Sequence, residues 1–460
     1  MAEILLGNIT SKLETSEDIL KQVRKKLSTK PKNYWFYKKF KSKKWDGTYY
    51  FINKNGSFPT GLLHLVKDAL REIGVKYNII DKRNIPDIKP KDYSLNVITL
   101  RDYQKRTIEK CLLYKRGVIE LATNAGKTEI ACGVIKALQL PTLFIVNSKD
   151  LLYQTADRIK KRTGIDAGII GDGIWDEKEV NVATIQTLQY YLTHNKAKTK
   201  KLLNKTRLLI IDEAHHTKAN TWNRVMRQIP AWYRIGMSGT PFRKEEIDDW
   251  RLMAVTGRRI AKVSNKKLID LGFSAKPIVH IVKYNTTNYI IARYQEAYDK
   301  AIVNNEYRNN VIAAICNDLK GLTLVIVDKV AHGLLLNTLV PESVFISGRD
   351  KSDTRKEVLQ AMRNREVDIV IATPIFDEGI DVPSIDNVIL ACGGVSRIKL
   401  LQRIGRGLRK KEDKENVLHV YDFLDDCNRF TYQHSRKRIR TYKAEKFKVK
   451  IERKYINIDI

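Results

Sequence analysis

The sequence predicts an α/β protein: two tandem parallel-sheet lobes preceded by a small α+β module. Three observations lead there. The chain has 460 residues, and at about 150 residues per domain that suggests roughly two to four domains. From residue 93 onward, short β-branched runs alternate with helical stretches, and the alternation is played through twice. The runs are apolar throughout rather than at every second position, as expected of strands covered by helices on both faces.

In residues 1–92 the apolar pattern predicts strand 3–12, helix 16–28, strand 34–40, strand 47–53, helix 60–74 and strand 75–81. Thr15 or Ser16 is placed to cap the first helix, with Asp18 near its positive end, and Thr60 is a weaker cap for the second. Arg83–Pro90 contains two prolines, lacks periodicity and reads as a linker. The first lobe, 93–262, carries the runs 117–122, 142–147, 180–185, 207–212 and 234–239. The second, 263–435, carries 277–282, 322–327, 344–347, 367–372, 387–391 and 416–423. The pattern lapses at 255–275, which places the boundary there. Residues 436–460 hold ten Lys/Arg against three acids and read as a basic C-terminal helix or tail.

Composition narrows the function classes. Hydrophobic residues make up 43%, which excludes wholesale disorder. No apolar run approaches the ~20 residues of a membrane helix, and the start lacks a basic stretch followed by an apolar core, so neither a membrane partner nor a secretory signal is expected. Cys111, Cys132, Cys316, Cys392 and Cys427 never form a Cys-x-x-Cys pair, which argues for reduced, buried thiols over disulfides or a cysteine-rich zinc site. Lys plus Arg is 84 against 52 acids, a formal charge of +32. That charge favours a polyanionic partner, nucleic acid ahead of an anionic membrane surface; the plain alternative is a merely soluble basic protein.

The strongest local chemistry is at 117–138, where a strand ending at Leu121 is followed by a tight turn, Gly126-Lys127-Thr128 and a helix with apolar residues at helical spacing. Such a turn arranges backbone N–H groups and a helix N-terminus around a polyphosphate. Lys127 would reach the β/γ phosphates and the Thr128 hydroxyl would ligate Mg²⁺. Leu121 and Asn124 depart from the glycine-rich form of this loop, and Asn is among the non-glycine residues that best tolerate a left-handed backbone. The apolar run 207–211 ends in Asp212-Glu213-Ala214-His215-His216. Acids at the carboxyl end of a parallel strand sit where such sheets place ligands. Asp212 would hold Mg²⁺ and Glu213 would orient and deprotonate an attacking water. His215 is placed to couple the site to its neighbours, His216 reads as an ordinary helix-start residue, and the hydroxyls of Ser238-Gly239-Thr240-Pro241 would relay between the carboxylates and a bound strand.

These blocks resemble a superfamily-two helicase over residues 100–409. Leu100–Gln104 resembles the adenine-reading segment, 122–128 motif I, 212–215 motif II in its DEAH spelling, 238–241 motif III, 371–381 motif V and 402–409 motif VI. The resemblance implies RecA-like lobes, ATP with Mg²⁺ as the nucleotide, and a nucleotide site formed by Arg101, Gln104, Thr123, Asn124, Ala125, Gly126, Lys127 and Thr128, joined by Gly379 and Asp381. It implies that Gln104 reads adenine, that Gln402 contacts the attacking water or γ-phosphate, and that Arg406 and Arg409 reach the γ-phosphate, where a guanidinium fork offsets charge in the transition state. It implies strand contacts from Ser148, Lys149, Gln186, Thr187 and Thr373, among which the small hydroxyls suit phosphate contacts because they carry no sequence preference. The structural alternative for 403–411 is a basic helix lying on solvent.

Residues 19–45 contain eleven Lys/Arg and no acid, with aromatics interleaved among lysines from Tyr34 to Trp45. Phosphate binding by Lys39, Lys41, Lys43 and Lys44 is the expectation. Alternate rings in a strand are usually core, so base stacking is assigned to none of them. Lys44–Gly47, Tyr49–Phe51 and Phe58–Leu62 resemble the N-terminal module of UvsW-like phage branch-migration helicases. That resemblance implies branched or forked duplex DNA tracked along one strand, other phage replication or recombination proteins as partners, and the cytoplasm of an infected bacterial host. An RNA helicase stays open, because the DEAH spelling does not separate DNA from RNA. So does a basic DNA-binding or annealing protein with a weakened ATPase, motivated by Leu121 and Asn124. A restriction-type translocase is disfavoured, since two lobes leave little chain for a nuclease.

Overall fold

The computed structural model describes residues 1–83, 85, 88–242, 245–288, 290–373, 385–396, 400–401, 403–405, 408 and 416–455. Two compact units emerge: Met1–Leu121 with Ala125–Val263, and Ala122–Asn124 with Ser264–Ile460.

The amino-terminal module is built from β1 (Ala2–Leu6), β2 (Thr10–Glu14), β3 (Ser28–Thr29), β4 (Tyr49–Tyr50), β5 (Ser57–Pro59) and β6 (Tyr77–Asp81). Four of these form a sheet in the order β5-β2-β1-β6, and β3 pairs with β4. Helices Glu17–Lys26 and Leu63–Glu72 bury Val23, Val66, Ala69 and Leu70 with Ile4, Leu13 and Phe58. The expected strand 3–12 is two antiparallel strands, because the chain reverses at Gly7, where a Cβ would lie 2.3 Å from the Thr10 carbonyl oxygen. The expected strand 47–53 shrinks to Tyr49–Tyr50, and the helix 60–74 opens with a 3-10 turn, Thr60–Leu62. Ser16 holds the N-cap position of the first helix without a side-chain hydrogen bond, while Thr60 Oγ1 donates to the Gly7 carbonyl at 2.7 Å, tying the helix start to the sheet.

The largest departure is at 34–40, expected as a strand. It is a 3-10 turn, Tyr34–Phe36, followed by a helical turn, Lys38–Lys41. Asn33 enters the left-handed region at φ 61°, and the following amides close on Asn33, Tyr37 and Lys38 carbonyls. Local hydrogen bonds thus satisfy the backbone, and the ring–lysine alternation imitates a strand's period without a partner strand among the described residues.

The module is seated on the first lobe. Gly61 meets helix Glu246–Val255 so closely that a Cβ there would lie 1.9 Å from the Met253 carbonyl oxygen. Phe51 packs edge-on to Trp250 at 5.2 Å between ring centroids, and the Arg251 guanidinium lies 5.1 Å from the Tyr49 ring.

The first lobe is an eight-stranded sheet among the described residues, ordered β10-β9-β11-β8-β12-β13-β7-β14. Its strands are β7 (Arg116–Leu121), β8 (Thr142–Val146), β9 (Gly168–Gly171), β10 (Ile174–Trp175), β11 (Val180–Thr184), β12 (Leu208–Ile211), β13 (Tyr233–Ser238) and β14 (Arg259–Val263). Only the β9–β10 pairing is antiparallel among the described pairings. Every residue of β8, β11, β12 and β13 is buried, as the unbroken apolar runs require. The short β9, β10 and β14 went unread in the sequence.

The second lobe comprises β15 (Lys276–Val282), β16 (Thr323–Ile326), β17 (Ser343–Ile346), β18 (Ile369–Ala372), β19 (Asn387–Leu390), β20 (Val417–Phe423) and β21 (Lys448–Glu452). They lie in the order β17-β18-β16-β19-β20-β15-β21, parallel at every described pairing. The chain end is neither a separate helix nor a tail. Helix Arg429–Ala444 begins before residue 436, and β21 extends the sheet on β15. Tyr442 and Phe447 are buried, and Arg438 makes charge-assisted bonds to Asp422 at 2.9–3.1 Å, so apolar and paired residues hidden among the lysines fasten this segment down. All five cysteines are free and buried. No helix among the described residues is long and apolar enough to cross a membrane.

Candidate functional site

The carboxyl ends of β7, β12 and β13, adjacent or nearly so in the first lobe's sheet, bring the sequence-marked residues together. β7 ends at Leu121, and the loop then turns through Asn124 at φ 67° and Gly126 at φ 74° before helix Lys127–Leu138 begins. Asn124 therefore adopts the left-handed backbone that Asn tolerates better than most non-glycine residues. Thr123, Asn124 and Thr128 are half-buried and Ala125 is buried.

The loop is held from below by helix Asp102–Tyr114. Tyr103 Oη and Gln104 Nε2 both donate to the Ala125 carbonyl at 3.0 Å. The Arg101 amide donates to Gln104 Oε1 at 2.9 Å, and Arg101 Nη1 donates to Tyr103 Oη at 3.0 Å. Gly126 is needed here, since a Cβ would lie 2.3 Å from Gln104 Nε2. Gln104 was expected to read adenine. In this structure it is buried, and both polar atoms of its amide are engaged in capping its own helix and clasping the phosphate loop. Tyr103, passed over in the sequence, performs the same clasp; its position beside Gln104 at a helix start was the available signal.

β12 delivers the acidic pair. Asp212 Oδ1 accepts from the Glu213 amide at 2.9 Å, and Glu213 itself takes a left-handed φ of 43° at the entry to the 3-10 turn Ala214–Lys218. Backbone strain at a functional residue must be held in place by its surroundings. Here Lys127 Nζ donates to Glu213 Oε1 and lies 3.9 Å from Asp212 Oδ1. His215 Nδ1 lies 3.2 Å from Glu213 Oε2 and 3.0 Å from Ser238 Oγ. Ser238 Oγ lies 3.4 Å from the same Glu213 oxygen and accepts from the Thr240 amide at 3.3 Å. Lys127, Glu213, His215 and Ser238 thus form one chain of polar contacts across three strand ends. Burial acts to raise the Glu213 carboxyl's pKa, but the Lys127 ammonium and the His215 contact more than offset it, holding the group far below the usual carboxylate range. His216 packs against the Trp222 ring at 5.6 Å, a structural placement.

Thr128 and Asp212 are hard oxygen donors of the kind Mg²⁺ takes, and the described residues hold no cluster of three or more metal-ligating side chains. Such a donor set suits an ion whose remaining ligands are phosphate oxygens and waters.

A second group gathers on the neighbouring strands β8 and β11. Ser148 caps helix Lys149–Thr163, accepting from the Leu151 amide at 3.3 Å. Lys149 is exposed and paired with Asp172. Gln186 Nε2 donates to the Asn147 carbonyl at 3.0 Å, and the Thr187 and Thr184 hydroxyls are 2.9 Å apart. Glu129 links the two groups: it accepts from Arg158 at 2.9 Å and Arg162 at 3.2 Å, joining the phosphate-loop helix to the helix that Ser148 starts. The sequence held no sign of this, because those partners are 29 and 33 residues away.

In the second lobe, Thr373 is buried at the end of β18 and its hydroxyl accepts from the Gly348 amide at 3.3 Å. Gly379, Asp381, Gln402, Arg406 and Arg409 lie outside the described residues. Around them, Leu401, Arg403, Ile404 and Leu408 are buried, and Arg403 donates to Asp328 at 2.6 Å, so the described residues of 403–411 do not lie on solvent. In the module, Lys39, Lys41, Lys43 and Lys44 are all exposed.

Residues 8–80 match the family described as DNA helicase UvsW, N-terminal; 97–243 match type III restriction enzyme, res subunit; and 295–411 match helicase conserved C-terminal domain. The chain is 29% identical over 392 residues to the DNA 3'-5' translocase XPB2 of Sulfurisphaera tokodaii, covering 76% of this chain and 85% of that protein. It is 23% identical over 485 residues to the ATP-dependent DNA helicase uvsW of Enterobacteria phage T4, covering 95% and 96%. Its fold is similar to a fragment of a putative HsdR subunit of a type I restriction enzyme from Vibrio vulnificus, with a TM-score of 0.55 at 21% identity over 71% of this chain and 64% of that one.

Proposed function

We propose, from the premise that this chain belongs to the superfamily-two helicases, that it is an ATP-dependent DNA helicase or translocase remodelling forks and four-way junctions. The observation that carries the reading is the pairing of Lys127 with Glu213, two motifs 86 residues apart that meet at the strand ends where such sheets bind ligands. The similarity to DNA-acting relatives, with a UvsW-type module at the front, favours DNA over RNA and a weakened ATPase.

In this reading the loop amides and Lys127 hold the β/γ phosphates, while Tyr103 and Gln104 keep the loop in shape. Thr128 and Asp212 would hold Mg²⁺, which supplies neutralising charge to phosphate oxygens. When phosphate draws Lys127 away, Glu213 loses the cation that suppresses its basicity. Its carboxylate then orients the attacking water and takes its proton, with His215 and Ser238 carrying the change toward the next motif. Gln402, Arg406 and Arg409 are assigned to the water and γ-phosphate by motif, with Gly379 and Asp381 beside the nucleotide. Ser148, Lys149, Gln186, Thr187 and Thr373 would grip a strand's phosphates without reading sequence, and Lys39, Lys41, Lys43 and Lys44 would hold duplex phosphates. By the resemblance of its front module to UvsW-like phage helicases we assign it a role in phage recombination, repair and replication within an infected cell's cytoplasm, alongside other phage proteins, and the similarity to a phage DNA helicase is in keeping with that.

The test compares ATP-driven processing of tailed duplex, replication fork and four-way junction, in matched DNA and RNA, by the chain and by Lys127→Ala. Junction and fork DNA should be processed best. The variant should lose turnover and keep most binding, since the basic surfaces remain. RNA-only stimulation, or full turnover by Lys127→Ala, would overturn the reading.

A further inference from the structure

We propose that Trp35 and Phe36 form a stacking platform for unpaired bases or an open duplex end, a site that rests on the reading of the chain as a DNA remodeller and specifies where the module grips. In the turn Tyr34–Phe36 and the helical turn Lys38–Lys41, successive side chains fan outward instead of alternating. The aromatic run consequently splits into two layers.

The inner layer is an anchor. Tyr34 packs edge-on to Phe40 at 4.8 Å, and Gly47 at φ 83° leaves space for that ring, since a Cβ there would lie 2.4 Å from it. Trp45 donates its indole N–H to the Thr48 carbonyl at 2.8 Å and meets Tyr49 at 4.9 Å. Tyr49 in turn lies under Arg251 of the first lobe. The outer layer stays open to solvent on its far side: Trp35 packs edge-on to Tyr34 at 5.3 Å and Lys41 lies 5.8 Å from the Phe36 ring, yet Trp35 is 50% exposed and Phe36 67%. The two rings lie 6.1 Å apart between centroids and so form one contiguous apolar patch, the kind of exposure that marks an interaction surface where a lone apolar residue does not.

Charge identifies the occupant. Eleven Lys/Arg and no acid lie within 19–45, and the lysines flanking the rings are exposed. An apolar patch flanked by exposed lysines, of which Lys32 faces Glu245 at 3.5 Å and Lys38, Lys39 and Lys41 lie exposed beside the rings, fits a polyanion with flat apolar faces, and unstacked bases between phosphates have that chemistry. Stacking tolerates any base, because each presents a π-face, so the site suits an enzyme that must act on any sequence.

The test uses the full chain without nucleotide. Binding of a DNA fork carrying 2-aminopurine at its branch point is compared with binding of a covalently closed, relaxed circular duplex, which has neither an open end nor unpaired loop bases. Trp35→Ala/Phe36→Ala should weaken fork binding on the order of tenfold, abolish the 2-aminopurine quench, and leave circular-duplex affinity and the salt slope of binding intact. Trp35→Leu/Phe36→Leu keeps apolar bulk without the π-face and should lose the quench as well. Equal fork affinity and quench in both variants, with an unchanged unfolding midpoint, overturns stacking and leaves the rings as a protein-docking surface. An equal loss on fork and circular duplex also overturns it. Failure of the wild-type chain to hydrolyse ATP in response to DNA would strike the proposed function instead, so the two failures are distinguishable.

Discussion

Glu213→Gln separates the two parts assigned to this side chain. In the proposed chemical step the carboxylate takes the proton of water, and loss of a positioned general base typically costs about 10²–10⁴ in rate, or roughly 3–5 kcal/mol of barrier. In the resting state the same carboxylate holds Lys127, with the two side chains only 13% and 21% exposed, so solvent screens the pair modestly. A hydrogen bond to a charged partner contributes about 1.5–3 kcal/mol and a neutral one about 0.5–1.5, so an amide at this position should weaken the grip on Lys127 by about 1 kcal/mol. Phosphates compete for that ammonium. The variant should therefore bind ATP about fivefold more tightly while hydrolysing it at least a hundredfold more slowly. Equilibrium titration with a fluorescent ATP analogue gives the first quantity and single-turnover hydrolysis the second. Hydrolysis within about threefold of wild type would remove Glu213 from its role, and weaker nucleotide binding would refute the competition for Lys127.

Gly61→Ala places a Cβ against the Met253 carbonyl oxygen, so the module must shift from helix Glu246–Val255 at a cost of about 1–3 kcal/mol; urea unfolding should show the module melting ahead of the lobe, and an unchanged transition would show that the seating is not needed for stability. In the second lobe, burial lowers His280 to about 4, aided by His419, and His332 to about 3, aided by Arg308. Both take up protons on unfolding below the ordinary histidine value of 6.5, so stability should fall as pH drops from about 6.5 toward 4, by up to about 1 kcal/mol per pH unit for each. Denaturation at pH 7 and pH 5 measures this, and His332→Gln, which keeps a donor for Asn309, should flatten the slope; equal stability at the two values would contradict buried neutral imidazoles.

The long central strands and the phosphate loop were legible because their causes are contiguous. An apolar run of five residues buries itself on either face of a sheet, and Gly126-Lys127-Thr128 between strand and helix prescribes its own backbone. Asn124 belongs with them, since its left-handed φ is a local matter. The misread elements share a different cause. At 34–40 the ring–lysine alternation was true of the sequence and irrelevant to the backbone, which had local carbonyls to bond and no strand alongside. At 448–452 an outwardly basic segment became a sheet edge because β15 offered it a partner more than 160 residues earlier in the chain.

Sequence alone thus determined which chemistry this protein carries: the lysine, the two acids and the hydroxyls stand on strand ends that their own neighbours dictate. Tertiary structure decided how those groups are spent at rest, with Glu213 bound to Lys127, Gln104 folded under its loop, and Trp35 and Phe36 turned to solvent. The reason is physical: a side chain's partners and its exposure are set by elements that reach it from distant parts of the chain, and no local pattern encodes their arrival.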